Sequence, residues 1–243
     1  MKTCQELHDE YKKIKELKEN FETVFAAAVI SRNFAVAETE KEKLEKAVKV
    51  LRKETEDLLL GVRLEARFPK EKFPRIELEI GGKTKDQLIQ EMKENGIQIF
   101  DYAMKILNSP DFQKSILQNP DETNPAKQIP KVPESITLIR LKLSDLGFTE
   151  DNNPTTDQLY ACIEKLQLQL CPPEVGPNYR LKYADQPMGE WVQIGMKQIT
   201  GRDGYRYVFR VVCSSGGLWL DDSWAEPLDA WYSDNEFVFR LRK

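Results

Sequence analysis

The stretch Gly217–Lys243, GLWLDDSWAEPLDAWYSDNEFVFRLRK, decides how the rest of the chain is read. It holds three of the four tryptophans, Trp219, Trp224 and Trp231, and Trp191 lies a short way upstream. The residues around the rings are polar: Asp221, Asp222, Ser223, Glu226, Asp229, Tyr232, Ser233, Asp234 and Asn235. Phe237, Phe239 and Leu241 then alternate with Val238, Arg240 and Arg242, the period of two that predicts a closing strand. Large rings interleaved with short hydrogen-bonding groups suit a surface that holds a ligand. The expectation is therefore a loop surface over residues 219–236. Those nine polar residues would bind, with Trp219, Trp224, Trp231, Phe237 and Phe239 as scaffold.

Length and charge bound the alternatives. A chain of 243 residues can build one large core or two modest ones. The net charge is −4, with basic and acidic residues interleaved. No basic field draws nucleic acid, so a nucleic-acid partner is not expected, and a protein partner is. The four cysteines, Cys4, Cys162, Cys171 and Cys213, form no C-x-x-C pair, and the single histidine, His8, sits in a charged helical run. Neither a metal site nor a cofactor is expected from that set. The first residues lack the apolar core of a secretory signal, and no segment reaches the ~20 apolar residues of a membrane span. The chain thus reads as cytoplasmic, with reduced thiols and no membrane partner.

Residues 3–30 place Leu7, Tyr11, Ile14, Leu17, Phe21, Val24, Phe25 and Ala28 on one helical face. Phe34, Ala37, Lys41, Leu44, Val48, Leu51, Thr55 and Leu58 follow in steps of three and four. Residues 1–62 therefore predict a helical hairpin bending near Ser31–Asn33, or one long helix, with residues 3–60 available for self-association. Ile76, Leu78 and Ile80 alternate as a strand, Gly81-Gly82 turns, and Thr84 with Gln87 forms a capping box. Asn95-Gly96 ends that helix, another is expected from Ile99 to Leu107, and Ser109-Pro110 opens one more turn. These make a small segment, 63–117. The Pro- and Asn-rich run 118–135 reads as a linker to a second domain, 136–243.

That second domain opens with the strand Ile136–Leu143 and a helix capped by Thr155 and Gln158. Pro172-Pro173 stops the chain, and Glu174-Val175-Gly176-Pro177 reads as a tight loop. Strands are expected at Arg180–Tyr183, Trp191–Met196 and Tyr205–Cys213, with a hairpin at Asp203-Gly204. Covalent catalysis has no histidine base in this half. Asp221/Asp222 and Asp234/Glu236 are carboxylate pairs of the type hydrolases use, and also ordinary turn residues. No phosphate-cradling glycine pattern occurs.

The order strand, helix, LQLCPPEVGP (Leu168–Pro177), antiparallel strands, GLWLDDSW and a closing FVFRLRK resembles C-type-lectin-like domains of the formylglycine-generating-enzyme type. The resemblance is to those used as variable proteins by diversity-generating retroelements of bacteria, and it covers about residues 134–243. Its counterparts are Gly217, Trp219 and Phe239-Arg240. It implies a fixed scaffold displaying Asp221, Asp222, Ser223, Asp229, Tyr232, Ser233, Asp234 and Asn235. The paired active cysteines of the oxidase members have no counterpart here, so that activity is not implied. The reading is an α+β binding protein, non-enzymatic, with a helical arm, a small α/β segment and a mixed domain on an antiparallel sheet. An adaptor or immunity protein acting through the arm, or a carboxylate hydrolase, are the other readings.

Overall fold

The computed structural model describes residues 4–31, 35–120, 128–201 and 203–242. The chain divides into two compact units, Met1–Pro69 and Lys70–Lys243. In the first, α1 (Cys4–Ser31) and α2 (Ala35–Arg67) are separate helices that pack on each other. Ile14, Leu17, Phe21 and Val24 face a seam with Leu44, Ala47 and Leu51, all half-buried. Asn20 Nδ2 donates to Glu40 Oε2 at 3.2 Å across the pair. Of the two arrangements open from the spacing, the hairpin is the one formed. Arg32, Asn33 and Phe34 lie outside the described residues, as do the side chains of Leu7, His8, Ala28, Ala37 and Leu58.

The second unit is built on one mixed sheet, in the order β1-β3-β8-β4-β6-β7-β2, with β5 added beside β6. The strands are β1 (Arg75–Ile80), β2 (Gln98–Ile99), β3 (Glu134–Lys142) and β4 (Trp191–Ile194). They continue with β5 (Ile199–Thr200), β6 (Arg206–Ser214), β7 (Gly217–Trp224) and β8 (Glu236–Arg240). Most neighbours are antiparallel, but β4–β8 and β2–β7 are parallel.

This topology corrects the expected boundaries. Residues 63–117 do not form a segment of their own. β1 pairs with β3 along its whole length, and β2 pairs with β7 at the far edge. Two short strands cannot bury a face alone, so they complete the sheet of the later residues. The run 118–135 is accordingly a connection within one unit; its residues 121–127 lie outside the described ones.

Both faces of the sheet are buried. Leu78, Ile136, Leu138, Val192, Val211 and Val238 share one face, as the register requires. The helix α7 (Val175–Lys182) packs there against β1, β6 and β7. Phe209 of β6 meets Phe112 edge-on at 5.9 Å, in α5 (Pro110–Ile116). Ile139, Leu141, Phe237 and Phe239 lie on the opposite face. There the Trp231 ring stands edge-on to Phe237, and its Nε1 donates to Thr156 Oγ1 at 3.0 Å, in α6 (Thr156–Lys165).

Several local readings are reproduced and others change. Thr84–Gln87 and Thr155–Gln158 both form reciprocal capping boxes, opening α3 (Lys85–Glu94) and α6. Ile99 belongs to β2, and the helix expected from that point starts at Asp101, as α4 (Asp101–Leu107). The expected strand at Arg180–Tyr183 is the end of α7, and Glu174–Pro177 is its first turn rather than a loop. Pro177 fits a first turn because its missing N–H lacks a helical partner there anyway. Gly176 is small for a packing reason: a Cβ would lie 2.5 Å from the Phe209 ring.

Two side-chain networks fix α7. Arg180, fully buried, donates to Gln186 Oε1 and to the carbonyls of Tyr183 and Val212. Arg140 of β3 joins Glu190 at 2.5 Å, Glu236, and the Tyr183 hydroxyl at 2.9 Å. The loop 225–235 is tied down through its backbone. Thr156 N donates to Asp229 O, Trp231 N to Pro154 O, Ser144 N to Ser233 O and Leu143 N to Asn235 O. Cys171 and Cys213 are free thiols, and burial pushes the Cys171 thiol well above its usual range. No described helix is long and apolar enough to cross a membrane.

Candidate functional site

The expected loop over 219–236 begins as a strand. Gly217–Trp224 is β7, paired residue for residue with β6. Alternation along a strand sends neighbouring side chains to opposite faces, and this divides the nine expected binding residues. Asp221 lies opposite Arg210 and is bonded to its guanidinium at 2.5 Å. Ser223 shares that face, beside Val208. Asp222 turns to the other face, opposite Phe209, where it is only 8 % exposed. Asp221 is held by Arg210 and its charge acts on the Asp222 carboxyl, while Glu236 is engaged by Arg140 and Lys142.

The remaining expected residues lie at or beyond the end of β7. Glu226 Oε1 accepts the Arg206 N–H at 2.8 Å and clamps the start of β6. Asp229, Ser233 and Asn235 belong to the braced loop, and the Asn235 side chain accepts from Tyr232 N at 3.2 Å. Asp234 is exposed on it, and the Tyr232 ring is 70 % exposed. The five scaffold rings also differ among themselves. Trp231, Phe237 and Phe239 are buried, and Trp219 is half-buried against the Gly216 turn. Trp224 is a correction: it is 58 % exposed. It occupies the last position of β7.

Trp224 is the centre of a different constellation. Its ring stacks on Tyr205, itself 48 % exposed, with centroids 5.0 Å apart and planes 13° from parallel. Tyr207 stands edge-on to Trp224 at 6.5 Å and leans on Tyr102 of α4 at 5.4 Å. The Lys105 ammonium lies 3.6 Å from the centre of the Tyr102 ring. A groove of about 950 Å³ meets this cluster at Lys105 and Asp203, and Met104, Asn108, Pro110 and Thr200 also line it. The β5–β6 hairpin forms one wall, with its turn set by Gly204 at φ +87°. The end of α4 and the start of α5 form the other.

Two carboxylates converge on Tyr207. Its hydroxyl donates to Asp203 Oδ2 at 2.9 Å, and the charges of Asp203 and Asp222 add to burial in raising the phenol well above its usual range. Asp222 Oδ1 is buried without a hydrogen-bond partner. Burial, and then the neighbouring Asp221 charge, push this carboxyl up to about 6, against the opposing pull of Arg210. No family model, curated protein or solved structure matches the chain. Among the described residues, no group of three or more His, Cys, Asp or Glu is placed to hold a metal ion.

Sequence reading took in Trp224 and Asp222 as site residues and Asp203 and Tyr205 as a turn and a strand start, but passed over Tyr102 and Lys105. A signal for part of the set exists. Tyr205, Tyr207 and Phe209 alternate directly after the Asp203-Gly204 turn, which places aromatic rings at a hairpin mouth. The contribution of α4 had no such signal, because it depends on β2 joining the far edge of the sheet.

Proposed function

We propose that the chain is a non-enzymatic binding protein whose ligand lies in the groove beside Trp224 and Tyr205. The observation that carries this reading is the stacked, half-exposed Trp224–Tyr205 pair, in an aromatic cluster that meets a groove of about 950 Å³ at Lys105 and Asp203. Exposed rings held rigid by a sheet give contact area at small entropic cost, and their size makes them the usual energetic anchors of interfaces. Asp203, Thr200 and Asn108 supply polar groups around them. A protein segment is the ligand this reading favours, because partner surfaces anchor on exposed aromatic rings of this kind. The likeness to C-type-lectin-like variable proteins belongs to this proposal in restricted form. A displayed surface spanning 221–235 would need those residues on one side, and β7 alternates them across the sheet.

A second, compatible role belongs to the hairpin of α1 and α2. Tyr11, Phe25, Val48 and Val50 are exposed apolar residues on it, which favours self-association through this arm. The test of the main reading is a ligand panel screened against the wild-type chain, Trp224→Ala and Tyr232→Ala. Binding lost in Trp224→Ala and kept in Tyr232→Ala supports the groove. The reverse pattern moves the site to the braced loop and overturns it.

A further inference from the structure

We infer that the α1–α2 hairpin packs face to face on the hairpin of a second copy of the chain, the two running antiparallel about a two-fold axis at the level of Lys18. This rests on the reading of the arm as a self-association surface, and names the occupant and its orientation.

The hairpin is short of a core. Its described seam residues, Ile14, Leu17, Phe21, Val24, Leu44, Ala47 and Leu51, are only half-buried, since two helices alone cannot enclose the stripe between them. In an antiparallel pair, the positions just beyond the seam of each helix come out on the same broad face. Tyr11, Lys18 and Phe25 of α1 are such positions, seven residues apart, and Lys41 and Val48 are their equivalents on α2. Tyr11, Phe25 and Val48 are all exposed there. The opposite face is polar apart from Val50, with Lys13, Asn20, Lys43 and Lys46. The Asn20–Glu40 bond sets the level of one helix against the other, so that Val48 is level with Tyr11, and Lys43 with Lys18.

This apolar face is complementary to itself when turned end over end about Lys18. Tyr11 and Phe25 lie seven residues to either side, so Phe25 of each copy meets Tyr11 and Val48 of the other. Lys15 and Glu22, exposed on the rim, exchange places in the same turn, and so do Lys41 and Glu45 on α2. Opposite charges therefore meet around the rim. Lys18 faces its own copy at the axis, but its stem is apolar and its ammonium already turns to Glu22, 3.8 Å away. A parallel pair would leave Phe25 over the charged first turns of α2, Glu38 to Lys43. Burial of Tyr11, Phe25 and Val48 drives the pairing, and the place of Phe25 sets its direction.

The experiment measures the mass of the full chain by light scattering over a concentration series up to about 0.5 mM. A dimer is expected, with Phe25→Asp monomeric where the wild type pairs, and with unchanged helix content by far-UV circular dichroism. Lys15→Glu should weaken pairing by about tenfold, because it sets acid against acid at both ends of the interface. Lys15→Glu combined with Glu22→Lys should restore it. In a parallel pair that double change would face Glu45 and Lys41 with like charges and weaken pairing further. A short bismaleimide should join two Lys18→Cys chains and leave the wild type, with its own four cysteines, unjoined. A wild-type chain that stays monomeric, or a dimer that survives Phe25→Asp, would overturn the arm as the self-association surface. A dimer lost in Phe25→Asp, yet neither restored by the double charge reversal nor joined through Lys18→Cys, would keep the arm and overturn the antiparallel arrangement. A trimer or tetramer would overturn the pairing of two copies.

Discussion

Asp222 and Trp231 show how differently single residues of one stretch are used. Asp222 keeps its proton up to about pH 6 in the folded chain, whereas an unfolded aspartate releases it near 4. Between these values the folded state binds the extra proton, so stability falls as pH rises through this window and is flat above it. Asp222→Asn is therefore expected to raise stability at pH 7, by on the order of 1–3 kcal/mol, and to be neutral below about pH 4. Urea titrations at the two pH values check this; a loss of stability at pH 7 would mean that the carboxylate holds the fold. Trp231→Phe should cost about 1–3 kcal/mol at any pH, because it strips the donor from buried Thr156 and part of the packing on Phe237. Trp224→Ala, at an exposed position, should cost less than about 1 kcal/mol. Composition marked these tryptophans as a set. It could not sort them, because burial is decided by what lies across the sheet.

At the scale of elements, two glycines mark where backbone meets ring. A Cβ at Gly176 would lie 2.5 Å from Phe209, and one at Gly195 would lie 2.2 Å from Phe239. Gly176→Ala is expected to destabilise by about 1–3 kcal/mol, with much of the loss recovered in Gly176→Ala with Phe209→Leu. Additive losses in that double-mutant cycle would show that the glycine serves the helix and not the contact. The elements with local signals were legible from sequence: both capping boxes, the Asp203-Gly204 hairpin, and the alternation of β1, β3 and β6. The strand β7 was missed as a strand because acidic residues and tryptophans hid its period of two, although Leu220 and Asp222 turn inward on one face. α7 was missed because Pro and Gly at its start read as punctuation, while its place is set by packing on Phe209 and by the Arg180 and Arg140 networks.

For the whole molecule, the sheet makes Lys70–Lys243 the unit of folding. Residues 70–243 are expected to unfold in one cooperative transition, whereas 136–243 should not fold, since β3 and β7 each lose one of their two neighbours, β1 and β2. Far-UV circular dichroism and urea unfolding of the two fragments check this, and a cooperative fold for 136–243 would restore the boundary that the proline-rich run suggested. Long-range pairing of this kind leaves no mark on a local pattern, which is why the α+β class could be read and the division into domains could not. The site follows the same division, with Trp224 and Asp222 visible in the sequence and Tyr102 and Lys105 brought to them only by the topology. The most direct test of the binding account is the indole N–H spectrum of the full chain, in which four tryptophans give four assignable signals. Titrated with a ligand that the panel finds for the wild-type chain, the Trp224 signal should shift saturably while that of Trp231 stays fixed. A spectrum in which Trp224 stays fixed at saturation, or in which Trp231 moves in its place, would contradict it.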